Sequence, residues 1–162
     1  KEMKTFTKTQ LATLAQLEDP FWRAAVLLGY ETGMRISDIA TLERASLVPN
    51  KNELIVWTDK HDKRIVMPIS KTLRTMLAEL PKSDARFVFP DQARLMMDLK
   101  KRSTLSVYFS RILASKNIEG RSFHSLRHTF ATERGQEGEP IDKIRERMGH
   151  SVAETTKGYI HQ

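Results

Sequence analysis

The sequence predicts a mainly helical α+β domain that carries one small antiparallel sheet of three strands. Apolar residues recur at three- and four-residue spacing along most of the chain, as they do in amphipathic helices. Only three short stretches are rich in β-branched and aromatic residues, the composition typical of strands. Since 40% of the 162 residues are hydrophobic, we expect residues 1–162 to form one domain with a substantial buried core.

The first helices are predicted from their capping residues. Thr7 to Gln10 has the form of a capping box, and three leucines follow it at helical spacing. Pro20 suits the first turn of a second helix, and Gly29 and Gly33 mark its end. A further short helix is predicted from Arg35 to Leu42.

The predicted sheet consists of a hairpin and one separate strand. Leu54–Trp57 and Ile65–Met67 form the hairpin, and the polar stretch Asp59–Asp62 makes its turn. Phe87–Phe89 is predicted as the third strand. The remaining helices are predicted over Ser70–Leu80, Thr104–Lys116, Ser125 to about Arg134, Ile141–Met148 with Gly149 as its C-cap, and Ser151 to about Lys157.

The composition favours a polyanionic partner. Lysine and arginine exceed aspartate and glutamate by seven, and the pI is about 9.8. The absence of cysteine excludes disulfides, thiolate chemistry and cysteine zinc sites. No apolar stretch is long enough to cross a bilayer, so a cytoplasmic protein is expected. The first residue is Lys1, which predicts a fragment of a longer protein.

Three short segments contain the candidate functional residues: Thr32–Asp38, His124–Thr132 and Met148–Ser151, with Tyr159 following the third. Together they supply two arginines, two histidines and a tyrosine. Arginines can bind the non-bridging oxygens of a phosphodiester in a fork, histidines can transfer protons, and a tyrosine hydroxyl can act as a nucleophile. This set is suited to attack on a phosphodiester without a metal.

Helical spacing places His124 and Arg127 on one face of a helix, with Leu126 and Phe130 on the opposite face toward the core. His128 follows His124 by four residues, a spacing that can also bind zinc on a helix. No glutamate follows the first histidine and no third ligand is evident, so His128 is interpreted as a supporting or structural residue.

His150 lies at the end of a predicted helix and Tyr159 lies nine residues beyond it. A tyrosine with an ordinary pKa near 10 is a weak nucleophile unless a base or a positive field assists it. The two arginines and two histidines would provide that assistance.

These segments resemble the motifs of the tyrosine recombinase (phage integrase) family along nearly the whole chain. The family's Thr-Gly-x-Arg-x-Ser-(Glu or Asp) segment is matched by Arg35 with Asp38. Its His-x-Leu-Arg-His box is matched by His124 and Arg127, and its Leu-Gly-His box gives His150, with methionine in the leucine position.

Two further family features are matched near the ends of the hairpin and of the chain. The Thr-Thr-x-x-Tyr-x-His ending is matched around Tyr159. The family also has a lysine in a hairpin turn ahead of a Val-Pro-Leu-like strand, and Lys60 occupies that place before Met67–Ile69. Lys63 is an alternative for the same role.

The resemblance implies the catalytic domain of a site-specific DNA recombinase, most simply an integrase of a mobile element. Tyr159 would form a 3′-phosphotyrosyl link, Arg35 and Arg127 would neutralise the phosphate, and Lys60 would protonate the leaving 5′-oxygen. His124 would assist proton transfer at the tyrosine. The two remaining members of the set are His150, which would donate to a non-bridging oxygen, and Asp38, which would orient the site.

The resemblance also implies the partners. These are double-stranded DNA recombination sites and three further copies of the protein, which would form a homotetramer on paired sites and remain a monomer when free. No cofactor, metal or membrane partner is expected, and the family's separate amino-terminal core-binding domain is absent from residues 1–162.

Several alternatives remain open. A type IB topoisomerase shares this chemistry, and chromosome dimer resolution by a Xer-like recombinase uses the same site. A DNA-binding regulator that keeps the fold without catalysis is a third alternative. Basic composition alone also permits an RNA-binding protein, although the sequence contains no aromatic RNA-binding motif.

Overall fold

The computed structural model describes residues 4–58 and 63–148, and at residues 58 and 63 it describes the backbone alone. In this part of the chain, eight α-helices accompany one two-stranded hairpin, and none of these helices is long and apolar enough to cross a membrane. The helices are α1 (Lys8–Leu14), α2 (Pro20–Thr32), α3 (Ile36–Ala40), α4 (Lys71–Glu79), α5 (Pro90–Met97), α6 (Thr104–Ser115), α7 (His124–Gln136) and α8 (Ile141–Arg147). The strands are β1 (Glu53–Thr58) and β2 (Lys63–Pro68), and a 3-10 turn spans Arg44–Ser46.

The predicted caps at the starts of α1, α2 and α4 are confirmed. Thr7 and Gln10 form a reciprocal capping box at α1, Pro20 occupies the first turn of α2, and Ser70 caps α4. The C-cap of α8 is Met148, one residue before the predicted Gly149, and the predicted hairpin turn at 59–62 and helix at 151–157 lie outside the described residues. The helix α2 continues through Gly29 and ends at Gly33. A Cβ at Gly29 would lie 3.2 Å from Leu126, so this glycine lets α7 pack closely against α2.

The hairpin pairs β1 with β2 in antiparallel register, with Leu54 opposite Met67 and Val56 opposite Ile65. These positions face the core, whereas Trp57 on the alternate face is 63% exposed. The alternation agrees with the period of two expected of a half-buried strand. The two predicted hairpin strands are therefore confirmed.

The prediction of a third strand at Phe87–Phe89 is wrong, because the sheet in the described residues has two strands. A single antiparallel bridge joins Phe87 to Glu43, apart from the hairpin. Asp84 Oδ1 accepts the Phe87 N–H on one side, and Pro90 begins α5 on the other, so only a short segment remains extended. Its three residues are buried, so their apolar character reflects packing in the core, while its backbone pairing is limited to the short contact with residues 42–44.

The sequence analysis also missed α5. Pro90 occupies its first turn and Asp91 places a negative charge near the positive end of the helix dipole. Ala93 and Met96, three residues apart, are its buried positions. These cues are present in the sequence, but the helix is too short to show a repeated apolar pattern.

An aromatic cluster holds α7 at its first turn. Phe21 packs edge-on against Phe89 with ring centroids 4.9 Å apart, and Trp22 stacks on Phe109 at 5.3 Å. Phe109 also packs edge-on against Phe123 at 5.0 Å. Each such pair stabilises the fold by about 0.5–1.5 kcal/mol beyond its area burial. Because Phe123 directly precedes α7, the cluster positions the helix on which His124 and Arg127 lie.

The helix α7 is the central helix of the fold, since all residues from Ser125 to Ala131 are buried. A helix buried on every side must satisfy its polar side chains internally. Thr129 Oγ1 accepts the Phe6 N–H at 2.9 Å and donates to the Ser125 carbonyl at 2.7 Å. This pair of hydrogen bonds also fastens the segment before α1 onto α7.

Gly33→Ala should destabilise the fold more than Gly138→Ala. Both glycines have positive φ, 75° and 86°, so each alanine carries left-handed strain of about 1–2 kcal/mol. At Gly33 the new Cβ would also lie 2.6 Å from Phe130 Cδ2, whereas no described atom lies within 4 Å at Gly138. The overpacking should add about 1–3 kcal/mol. Urea unfolding measures both variants, and equal losses of unfolding free energy would contradict the close approach of Gly33 and Phe130.

Candidate active site

The first corner of the site is the turn from α2 into α3. Gly33 takes a left-handed conformation, and the Thr32 hydroxyl accepts the Met34 N–H at 3.2 Å. Arg35 then forms the N-cap of α3, where its carbonyl accepts the Ile39 N–H at 3.0 Å. The Thr-Gly-x-Arg order thus places the half-buried Arg35 side chain directly beyond the end of α2.

Arg127 joins three helices at this corner. Its side chain is 1% exposed, and its Nη1 donates to the Gly33 carbonyl at 2.9 Å. Its Nη2 donates to the Met148 carbonyl at 3.1 Å. Gly33 is the C-cap of α2 and Met148 is the C-cap of α8, so both acceptors lie at the negative ends of helix dipoles.

The burial of Arg127 differs from the expected separation of α7 into a reactive face and a core face. Leu126 and Phe130 are buried as predicted, but Arg127 is buried as deeply as they are. Charge-assisted hydrogen bonds to the two carbonyls offset the cost of removing the guanidinium from water. A guanidinium has five donors in a fixed plane, so these two bonds also set its orientation.

His124 lies in the positive field of both arginines. Burial lowers the pKa of His124 below its ordinary value of 6.5, and the charges of Arg127, Arg35 and His128 lower it further. The imidazole is therefore neutral at pH 7 and able to accept a proton. Because both arginines act on His124, the structure brings these three candidate residues into one electrostatic environment.

The two candidate supporting residues lie in different surroundings. His128 is buried on α7, one turn beyond His124. In the described ranges, no group of three or more histidine, aspartate or glutamate side chains is placed to hold a metal ion. Asp38 is exposed in the first turn of α3, where a negative charge is favourable, and it borders a groove of about 380 Å³ that Arg102 also lines.

The other candidates, Lys60, His150 and Tyr159, lie outside the described residues. The structure describes the strands on both sides of Lys60, with residue 58 paired to residue 63 at the last register position. It also describes Met148, which precedes His150 by two residues and whose carbonyl Arg127 binds. The arginine thus binds the backbone of the first residue of the third segment.

The sequence analysis missed a polar link that ties α2 to α7 near the site. The Tyr30 hydroxyl donates to Glu133 Oε1 at 2.7 Å. Burial, the hydrogen bond to Glu133 and the charge of that carboxylate raise the pKa of Tyr30 to about 12, so the phenol remains a donor. Glu133 lies near the end of α7, which continues past Arg134 to Gln136, two residues beyond its predicted end. Nothing local to either residue identifies this pair.

Arg127→Lys should lower the free energy of unfolding by about 1.5–3 kcal/mol, the range for hydrogen bonds of charged groups. The charge is retained, but an ammonium cannot reproduce the planar fork that reaches both carbonyls. Arg86→Lys is the matched control, because Arg86 is 68% exposed and pairs with Glu43 at the surface. That control should lose less than about 1 kcal/mol. Equal losses in denaturant unfolding would show that the Arg127 fork does not join the helices.

The stability of the protein should decrease below pH 6.5 partly through His124. Since its folded pKa is lowered, the unfolded chain takes up the proton first as the pH falls. The stabilisation is therefore complete above 6.5 and is lost as the pH falls toward the folded pKa. Between about pH 7.5 and about pH 5, the parent should lose more unfolding free energy than His124→Gln, which cannot titrate. Parallel pH profiles in denaturant unfolding would contradict the lowered pKa.

Comparison with known proteins identifies the family. The model of the phage integrase family matches residues 4–162. The tyrosine recombinase XerA of Thermococcus kodakarensis is 31% identical over 142 residues, which cover 85% of this chain and 49% of that protein. The chain therefore spans about half the length of this relative.

Solved structures of a recombinase and of an integrase are among those that have the same fold. The crystal structure of XerA recombinase has a TM-score of 0.76 at 21% identity, covering 100% of this chain and 62% of that one. The catalytic domain of bacteriophage HP1 integrase has a TM-score of 0.67 at 25% identity, covering 99% of this chain and 88% of that one. The family match and the shared fold establish that this chain belongs to the phage integrase family of tyrosine recombinases and has the fold of their catalytic domain.

Proposed function

We propose that this chain is the catalytic domain of a site-specific DNA recombinase that cleaves and rejoins double-stranded DNA through a covalent tyrosine intermediate. The observation that carries the proposal is the meeting of Arg35, Arg127 and His124 in one positive corner. Such a corner suits a phosphodiester, and the surplus of seven positive charges suits the rest of the duplex.

The proposed nucleophile is Tyr159. Its hydroxyl oxygen forms a bond to the scissile phosphorus as the bond from phosphorus to the 5′-oxygen breaks, which leaves a 3′-phosphotyrosyl link. The neutral imidazole of His124 accepts the tyrosine proton. The leaving 5′-oxygen takes a proton from Lys60, or from Lys63 as the alternative. Attack by a 5′-hydroxyl on the phosphotyrosine reverses these steps and rejoins the DNA without ATP.

The arginines stabilise the charge that develops on the non-bridging oxygens. Arg127 is held by two carbonyls before the reaction begins, so its positive charge needs no reorganisation in the transition state. Arg35 supplies a second charge from the start of α3, and His150 donates to one non-bridging oxygen. In this proposal Asp38 and His128 orient the groups that react.

The biological outcome we propose first is integration of a mobile element. The 31% identity to a XerA recombinase makes chromosome dimer resolution the second candidate. Both outcomes use the same cleavage chemistry. In either case we propose that the free protein is a monomer and that four copies assemble on paired DNA sites, with the amino-terminal core-binding domain outside these residues completing the grip on DNA.

Tyr159→Phe should abolish covalent protein–DNA adducts on a nicked suicide substrate. Only the hydroxyl is removed, so DNA binding in a gel-shift titration should remain nearly unchanged. Denaturing gels detect the adduct directly. Adduct formation by the phenylalanine variant would show that another residue is the nucleophile. Failure of the parent protein to form an adduct would contradict the proposed activity.

A substrate with sulfur at the 5′-bridging position should identify the acid. Sulfur leaves without needing a proton, so it should restore cleavage by a variant that lacks the acid. We expect rescue of Lys60→Ala and no rescue of Arg35→Ala, because the arginine acts on a different oxygen. Rescue of Lys63→Ala instead would assign the acid to Lys63, and failure of both rescues would contradict a hairpin lysine in this role.

A further inference from the structure

The side chain of Glu31 binds the base of the hairpin. Its Oε1 accepts the Ser70 N–H at 2.6 Å, and its Oε2 accepts the Ser70 hydroxyl at 2.7 Å. The Ser70 oxygen in turn accepts the Leu73 N–H at 3.1 Å, so the same serine caps α4. Both carboxylate oxygens are thus engaged by one residue at the positive end of a helix dipole, where hydrogen bonds to an anion are strongest.

The two partners lie at positions that matter for the site. Glu31 lies in the last turn of α2, four residues before Arg35 and two residues before Gly33, whose carbonyl Arg127 binds. Ser70 lies two residues beyond the end of β2. The contact therefore connects the end of α2, where the arginine corner begins, to the short segment between β2 and α4.

A small rotation of the hairpin at its base, near the Glu31–Ser70 contact, displaces its far end by a larger distance. Its six paired positions keep β1 and β2 in one register up to residues 58 and 63. At 3.4 Å per residue the strands extend about 17 Å, so a rotation of about 3° at the base moves the far end by about 1 Å. A misplacement of that size at a reacting group can slow chemistry by up to about 100-fold.

We propose that Glu31 is a positioning residue that sets the hairpin against the Arg35 corner. The inference rests on the proposed function, in which a hairpin lysine protonates the leaving 5′-oxygen. Glu31 touches no reacting atom. It holds the base of the hairpin so that the acid meets the 5′-oxygen of a phosphate bound at the arginines.

The test is cleavage by Glu31→Ala on two suicide substrates, one with oxygen and one with sulfur at the 5′-bridging position. The oxygen substrate should be cleaved about tenfold or more slowly than by the parent. The sulfur substrate should be cleaved within about threefold of the parent rate, because it does not need the misplaced acid. A purely structural role of Glu31 would slow both substrates alike.

Asp19→Ala is the matched control. Asp19 is also a carboxylate that accepts backbone N–H groups at a helix N-terminus, those of Phe21 and Trp22, but it lies at the opposite end of α2. Its loss should lower the melting temperature and should change the cleavage rates of the oxygen and sulfur substrates by the same factor. Glu31→Gln keeps one acceptor for Ser70 and should fall between the parent and the alanine variant. Each rate is measured below the melting transition of its variant, as followed by circular dichroism.

Equal slowing of both substrates by Glu31→Ala, or no slowing at all, would overturn the positioning role. The proposed function is judged separately in the same experiment. If the parent forms no adduct on either substrate, the proposed function fails and the Glu31 role falls with it. If the parent and the Lys60→Ala rescue behave as expected while Glu31→Ala does not, only the role of Glu31 is wrong.

Discussion

The guanidinium of Arg127 is the point on which the arrangement of the site depends. It is buried, it comes from the central helix α7, and it binds the carbonyl ends of α2 and α8. A buried charge without partners would be too costly to maintain, so the two helix ends must converge on this side chain for the fold to form. The turn that begins at Gly33 then delivers Arg35 to the same corner. The hydrogen bonds of Arg127 thus both stabilise the meeting of the helix ends and bring the charges of Arg35 and Arg127 into one corner.

The electrostatics of the site follow from that convergence. Burial disfavours the charged form of His124, and the two arginines that share its corner repel a further positive charge, so the pKa of His124 is lowered. The imidazole remains neutral while the arginines remain charged. A site with fixed positive charge beside a neutral base is suited to binding an anion and taking a proton from a nucleophile in one step. The chemistry we propose needs both properties together.

Two polar contacts outside this corner orient α2 relative to α7 and to the hairpin. Tyr30 and Glu133 join α2 to α7, and Glu31 joins α2 to the residue that follows the hairpin. The two α2 residues are adjacent, and they bind different elements because successive residues of a helix project about 100° apart. The last turn of α2 is therefore connected to α7 and to the segment after the hairpin within three residues of the Gly33 carbonyl that Arg127 binds, which explains why the end of this helix organises the site.

The sequence by itself determined the features that depend on neighbouring residues. The caps at Thr7, Pro20 and Ser70 act within one helical turn, and the motif residues are recognised by type and order, so the helices they begin and the family were predicted correctly. The third strand was predicted wrongly because apolar Phe87–Phe89 is buried by packing, which composition cannot distinguish from strand pairing. Tertiary structure alone decided the partners of Arg127, which lie 94 and 21 residues away, and the partner of Glu31, 39 residues away. Those contacts exist because distant helix ends meet, and no pattern of neighbouring residues specifies which ends will do so.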